Sequence, residues 1–219
     1  MRFTVLCDFD GTIVNVDTCV QILEKYAEED WRIFDEQYEK GEITLEECLQ
    51  KQFSTVTFSK ALVLNELQKV ASVRPNFSQL VQLCKENGFP FMIVSAGLDF
   101  VIKHFLKLEG WYNLIPIHAP KAIFTARGIK LTFPPQLCNT SINFKDDMVT
   151  QYMERGQKVA YIGDGVADYV AAKKADIPFA IKGSKLAELL KKNKIPHNEI
   201  SDFQQVLESI TQMLKNNKF

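Results

Sequence analysis

The chain has 219 residues, 46% apolar and 24% charged, and its 26 lysines and arginines against 27 aspartates and glutamates leave a formal net charge of −1. Such a balance belongs to a folded globular protein with one large domain, or with a core and a smaller partner. It excludes a disordered or low-complexity chain, and it lacks the basic excess that binding to nucleic acid or to an anionic membrane requires.

Taken in chain order, residues 3–9 form an apolar run that ends in DFDGT and read as a buried strand stopped by a turn. Residues 15–73 look wholly helical, and Thr44-Leu45-Glu46-Glu47 is a capping box within them. Phe77, Leu80, Val81 and Cys84 share a helix face, with Gly88 where a C-terminal cap belongs. A second strand is predicted at 89–94, ending in SAG, and a hairpin excursion over 117–132 around Arg127-Gly128. Met148, Val149, Tyr152 and Met153 mark another helix, and a third strand at 158–162 ends in GDG. Val166, Val170 and Ala171 share a face, a fourth strand at 177–181 ends in KGS, and Phe203, Val206, Leu207, Ile210 and Leu214 mark a last helix. Strand and helix alternate, and each strand closes on a glycine-containing turn. The fold class expected is α/β: a doubly wound parallel, Rossmann-like sheet with its loops gathered at one edge. About eighty residues separate the first two strands, where one crossover helix needs about a dozen. The excess reads as an inserted helical cap domain, residues 15–73, on a core made of 1–14 and 74–219.

The cysteines (Cys7, Cys19, Cys48, Cys84 and Cys138) are odd in number and form no CxxC, which argues for a reducing cytoplasm and against a disulfide framework or zinc ribbon. MRFTVLCDFD carries acids where a secretory signal would not. The longest apolar run, FPFMIVSA, is far too short to span a bilayer.

Asp8 and Asp10 are two apart at the end of the first strand, so both carboxylates can enter one site. Singly, each further candidate has an ordinary reading: Ser95 of VSAG as a helix cap, Lys145 of FKDDMV as a surface lysine, and GDGVAD, with Asp164 and Asp168, as a turn. The set is more informative. Three of the four elements close predicted parallel strands, one opens a helix, and strand ends of such sheets meet at one crevice.

DFDGT, the serine of VSAG, Lys145 and GDGVAD resemble the four motifs of the haloacid dehalogenase superfamily of phosphohydrolases, over nearly the whole chain. The helical insertion sits where that superfamily places its first type of cap. FMIVSAGLDFVIKHFL, GDGVADYVAAKKADIPFA and KGEITLEECL are most similar to its phosphoserine phosphatase branch, which includes the methionine-salvage enol-phosphate phosphatases. The resemblance implies a Mg²⁺-dependent phosphatase of a small phosphorylated metabolite, with no nucleic-acid or membrane partner; it carries no signal for an oligomeric state. Asp8 would be the nucleophile that becomes an aspartyl-phosphate, Asp10 the general acid and then base. Asp8, the Asp10 backbone carbonyl and Asp164 would hold the metal. Thr12, Ser95, Ala96 and Gly97 would receive the phosphoryl group, Lys145 would supply a fixed charge, and Asp168 would hold Lys145 in place. The chemistry needs these residue types. A carboxylate approaching a phosphate dianion meets a repulsion of about 8 kcal/mol, for −1 against −2 at ~4 Å and an effective dielectric of ~20, or about six decades of rate.

Two cap positions bear on the substrate. In phosphoserine phosphatases a cap acid and a cap arginine hold the serine moiety; here they align with Asp17, which keeps the charge, and Gln52, which cannot pair bidentately with a carboxylate. Ala167 stands where their GDG motif has asparagine. Phosphoserine phosphatase and a phosphomutase of the same superfamily are the alternative readings within the family. A phospho-accepting receiver is the alternative outside it; receivers place the acceptor aspartate on a mid-chain strand and carry no cap. Trp31, Phe34 and Tyr38 sit at helical spacing and read as core, and His104, His118 and His197 show no metal spacing.

Overall fold

The computed structural model describes residues 2–54 and 56–216. The chain runs β1 (Arg2–Cys7), α1 (Thr18–Tyr26), α2 (Arg32–Glu39), α3 (Leu45–Phe53), α4 (Lys60–Val70), α5 (Phe77–Glu86), β2 (Phe91–Val94), α6 (Asp99–Leu108), β3 (Ile117–His118), β4 (Lys121–Thr125) and β5 (Gly128–Thr132). It continues with α7 (Phe144–Glu154), β6 (Gln157–Gly163), a 3-10 turn at Val166–Asp168, α8 (Tyr169–Lys174), β7 (Ile177–Ile181), α9 (Lys185–Lys192), β8 (Asn198–Ile200) and α10 (Phe203–Lys215). No helix among the described residues is long and apolar enough to cross a membrane. The five cysteines are free thiols.

Six strands form one parallel sheet in the order β3-β2-β1-β6-β7-β8. β1 lies inside it, with Cys7 opposite Ile93 of β2 and Ile162 of β6. The chain winds one way from β1 through β2 to β3 and the other way through β6 to β8, so the strand order reverses beside β1 and leaves a crevice beyond its carboxyl end. Side chains of β1 alternate: Phe3, Val5 and Cys7 join one buried cluster with Phe77 and Phe203, while Leu6 joins another with Val149, Tyr161 and Ala171. Both faces of β1 are therefore apolar and sealed by helices, as an all-parallel sheet demands.

Prolines set several boundaries. β2 starts at Phe91, not at residue 89, because Pro90 has no N–H to give a ladder; its carbonyl still accepts from the Val5 N–H at 2.9 Å. The 117–132 excursion is two structures: Ile117–His118 is an edge strand of the main sheet, and the hairpin begins at Lys121, after Pro120. The expected helix through Val166 starts instead as a 3-10 turn, with Val166 only half-buried and Ala171 fully buried. Met153 departs from its expected face and is 39% exposed. Gly88 takes φ 67° after α5, the left-handed conformation that glycine adopts without steric cost.

Among the described residues between 15 and 73 the regular elements are the four helices α1–α4. The capping box at Thr44 forms as expected: the Glu47 N–H donates to Thr44 Oγ1 (3.1 Å) and the Thr44 N–H to Glu47 Oε2 (2.9 Å). The segment leaves and returns at neighbouring points, where Val14 and Val73 make an isolated antiparallel bridge. Arg74, just past the return, donates from its guanidinium to the carbonyls of Gly11 (2.9 Å) and Thr12 (3.0 Å). The β4–β5 hairpin packs on α3: the Gln50 amide donates to Ile129 O (3.2 Å) and accepts from the Leu131 N–H (2.9 Å).

Candidate active site

Beyond the ends of β1, β2 and β6 lies a cavity of about 340 Å³. Its sheet side is lined by Asp8, Asp10, Ser95, Ala96, Gly97, Lys145, Asp164, Ala167 and Asp168; its other side by Asp17, Trp31, Asp35, Tyr38 and Gln52 among others. Most of the sequence candidates thus converge on one hollow. Thr12 does not line it. It is fully buried, and its hydroxyl donates to Asp164 Oδ1 at 2.9 Å, so it orients that carboxylate instead of facing a ligand.

Local structure explains the placement. Asp8 shares the Leu6 face of β1, and its N–H extends the ladder to Ile162 O at 2.8 Å. Asp10 lies in the turn that follows. Gly11 takes φ 66°, and a Cβ there would sit 2.1 Å from Asp164 Oδ2, so glycine alone lets the two loops approach. A Cβ at Gly97 would lie 2.0 Å from Asp10 Oδ2. Lys145 is the second residue of α7, whose start is fixed by a reciprocal cap. Asn143 Oδ1 accepts from the N–H groups of Lys145 (2.9 Å) and Asp146 (3.1 Å), and Asp146 Oδ1 accepts from the Asn143 N–H (2.9 Å).

Lys145 is 1% exposed, and such a buried ammonium persists only when paired. Its Nζ lies 2.7 Å from Asp168 Oδ1 and 3.1 Å from Asp8 Oδ2. Burial alone would lower its pKa, but Asp168 and Asp8 outweigh that and hold it well above its ordinary value. Asp168 is also satisfied on every side: Oδ1 accepts from the Tyr161 hydroxyl (2.6 Å), and Oδ2 from the N–H groups of Asp164 (3.0 Å) and Gly165 (2.9 Å). Burial would raise its pKa, but the lysine charge prevails and keeps it ionised.

The other acids are in the opposite condition. Burial, then the charge of Asp168, push Asp8 up to about 7, although Lys145 pulls it down. Burial, then Asp8, push Asp164 up to about 8. Burial, then Asp17, push Asp10 well above the carboxylate range, against the Thr18 hydroxyl (2.5 Å) and Thr18 N–H (2.9 Å) that donate to its Oδ1. Asp8 Oδ1 and Asp10 Oδ2 are buried with no hydrogen-bond partner.

These observations fit a divalent cation. Carboxylate oxygens of Asp8, Asp164 and Asp168 lie within 4.8 Å of one another. Asp168 already fills the four acceptor positions of a carboxylate, which leaves Asp8 and Asp164 as the ligands with oxygens to give. An all-oxygen set of this kind suits Mg²⁺.

Several residues of the site had no clear mark in the sequence. Tyr161 and Arg74 act across the fold, and Asp35, which accepts from Gln52 Nε2 at 2.8 Å, lies on α2. Tyr161 had one usable signal: a phenol inside a buried parallel strand needs a partner for its hydroxyl. Trp31 belongs to the buried core as expected and Tyr38 packs against it, and both also line the cavity.

The family model for haloacid dehalogenase-like hydrolases matches residues 5–173. A 2-hydroxy-3-keto-5-methylthiopentenyl-1-phosphate phosphatase of Brevibacillus brevis is 28% identical, with 97% of this chain and 96% of that protein covered. The protein of the same name from Geobacillus kaustophilus is 26% identical, with 97% of each covered. Among solved structures, the phospho-aspartyl intermediate analogue of a phosphoserine phosphatase superposes with a TM-score of 0.70 at 19% identity, over 95% of this chain and 98% of that one. A substrate-bound phosphoserine phosphatase gives a TM-score of 0.70 at 18% identity, with the same coverage. At such identities the likeness is one of fold, and it agrees with the parallel sheet described above. From the β1 end to α8, where the family match runs, the sequence, the sheet order and the acid-lined crevice concur: the chain belongs to the haloacid dehalogenase-like hydrolases.

Proposed function

We propose that this phosphoric monoester hydrolase cleaves a small phosphorylated metabolite through an aspartyl-phosphate on Asp8, beneath a cap formed by residues 15–73. The observation that carries the reading is the pair of orphaned carboxylate oxygens, Asp8 Oδ1 and Asp10 Oδ2, on two residues that line one cavity beside a buried, doubly paired ammonium.

In the first step an Asp8 oxygen forms a bond to phosphorus and the bond from phosphorus to the ester oxygen breaks. Asp10, whose raised pKa keeps a proton on it, gives that proton to the departing alkoxide. In the second step the Asp10 carboxylate takes a proton from water, the resulting hydroxide attacks phosphorus, and inorganic phosphate leaves with Asp8 restored. Lys145 stabilises negative charge on Asp8 and on the phosphoryl oxygens, and Asp168 with Tyr161 holds its amine in place. The Gly97 N–H donates to Ser95 Oγ at 3.1 Å, which positions the Ser95 hydroxyl as a donor for those oxygens. Asp8, the Asp10 backbone carbonyl and Asp164 are the groups to hold Mg²⁺, with Thr12 orienting Asp164. The ion, when bound, supplies the positive charge that offsets repulsion between a carboxylate and a phosphate dianion. Free thiols throughout fit a reducing cytoplasm.

Of the two substrates named by the relatives, the methionine-salvage enol-phosphate is favoured over phosphoserine, because Gln52 offers no charge for a carboxylate. Phosphate release over a panel holding both, with phosphoglycolate and sugar phosphates, tests the reading. Turnover is expected with Mg²⁺ and not with EDTA. Asp8→Asn is expected to be inactive, and Asp10→Asn to lose at least ~10²-fold. Turnover by the Asp8→Asn protein refutes the nucleophile, and isomerisation without phosphate release replaces the hydrolase with a mutase.

A further inference from the structure

The cap side of the cavity has a charge of its own. Seven acidic side chains line the cavity against two lysines, and of the seven Asp10 holds a proton, which still leaves acids in excess. Lys145 is already paired to Asp8 and Asp168, and Lys185 stands 3.6 Å from Glu188 at the surface. A bound Mg²⁺ and a phosphate dianion cancel each other, so neither removes the excess. Asp17, Asp35 and Glu39 supply the cap's share, beside the rings of Trp31 and Tyr38. Asp35 is held in place by two donors on the neighbouring helix: Gln52 Nε2 at 2.8 Å and the Cys48 thiol at 3.6 Å, both to Oδ1. Gln52 itself is 5% exposed, so the amide that could greet an anion is committed to Asp35. Asp17 is likewise fixed, its Oδ1 accepting from the Val20 N–H at 2.9 Å at the start of α1.

Resting on the phosphatase reading above, we infer that the cap side is a charge filter: it admits esters whose alcohol is cationic or neutral, rejects those whose alcohol carries a carboxylate, and Asp35 sets the discrimination. The physical ground is the low-dielectric cavity. A carboxylate brought beside Asp17 and Asp35 loses water and meets like charge, whereas an ammonium or hydroxyl finds acceptors already positioned. Asp35 is a specificity residue for the alcohol and takes no part in phosphoryl transfer. Of the two rings, Trp31 already carries the Arg32 guanidinium 4.6 Å from its centroid, which leaves Tyr38 as the aromatic neighbour for an ammonium.

Two matched pairs of esters isolate the effect. Aminoethyl phosphate and phosphoserine differ only by a carboxylate; hydroxyethyl phosphate and carboxymethyl phosphate exchange a neutral end for an anionic one. With Mg²⁺, kcat/KM is expected to be at least tenfold higher for the first member of each pair. Asp35→Asn is expected to shrink both ratios, measured within the variant so that any general loss of activity cancels. Gln52→Arg places a cation beside Asp35 and is expected to raise phosphoserine relative to aminoethyl phosphate. Equal or inverted ratios in the wild type overturn the filter, as do ratios that neither substitution moves. Failure to release phosphate from any of the four or from p-nitrophenyl phosphate is a different result: it removes the phosphatase reading itself.

Discussion

At Asp168 every acceptor position is in use, while Asp8 and Asp10 each keep a buried oxygen without a donor. The contrast divides the acids into one whose oxygens are fully used and others with an oxygen left for a ligand, and it has a consequence for the metal-free protein. Burial above all pushes Asp8 up to about 7 and Asp164 up to about 8, from 3.8 for an ordinary aspartate. Above pH 4 the folded state therefore binds more protons than the unfolded chain, and stability falls as pH rises through that window. In EDTA the melting temperature is expected to be lower at pH 8.5 than at pH 6. Mg²⁺ should narrow the gap, and Asp164→Asn should flatten the EDTA profile; thermal melts at both pH values check this. Asp8, Asp10, Asp164 and Asp168 were legible because short motifs mark the ends of strands, whereas Asp35 on α2 carries no such mark. Their supports were not. Thr12 meets Asp164 across 152 residues and Tyr161 meets Asp168 from inside a strand, so only the folded chain reveals either contact.

Among the elements, α7 has the most precise task, because the position of its first turn sets where Lys145 points. The Asn143–Asp146 reciprocal cap fixes that turn. Asn143→Ala is expected to cost about 1 kcal/mol of unfolding free energy, read by urea titration, and to lower kcat more than it raises KM, because Lys145 loses its register. Elements with strong local signals were readable: the apolar runs of β1, β6 and β7, and the Thr44 capping box. β3 and β8 were not, since two and three residues give no periodicity to detect and each pairs on one side only. The start of α8 was misread for another reason. Asp168 draws the Asp164 and Gly165 N–H groups inward, and that wrap tightens the first turn to 3-10.

Over the whole molecule, the segment 15–73 touches the rest through more than its two connections. Gln50 is hydrogen-bonded to both Ile129 and Leu131, and Phe58 meets Phe100 (centroids 6.3 Å apart) and Phe124 (5.5 Å). The hairpin is thereby joined to α3, whose Leu45, Cys48, Leu49 and Gln52 line the cavity. Gln50→Ala removes two hydrogen bonds, worth about 1 kcal/mol each. It is expected to speed amide exchange at Leu131 and across 121–132 while leaving β1 and β6 protected; exchange measured by mass spectrometry distinguishes this from global loosening. This contact lay beyond sequence reading, which placed the hairpin in the core and the helices in a separate cap.

The antiparallel bridge at Val14 and Val73 brings the departing and returning chain side by side. A loop whose ends already touch is modular: its length and content can change without stretching the sheet that carries the acids. Arg74 is the rivet of that seam, holding the Gly11 and Thr12 carbonyls against the returning chain.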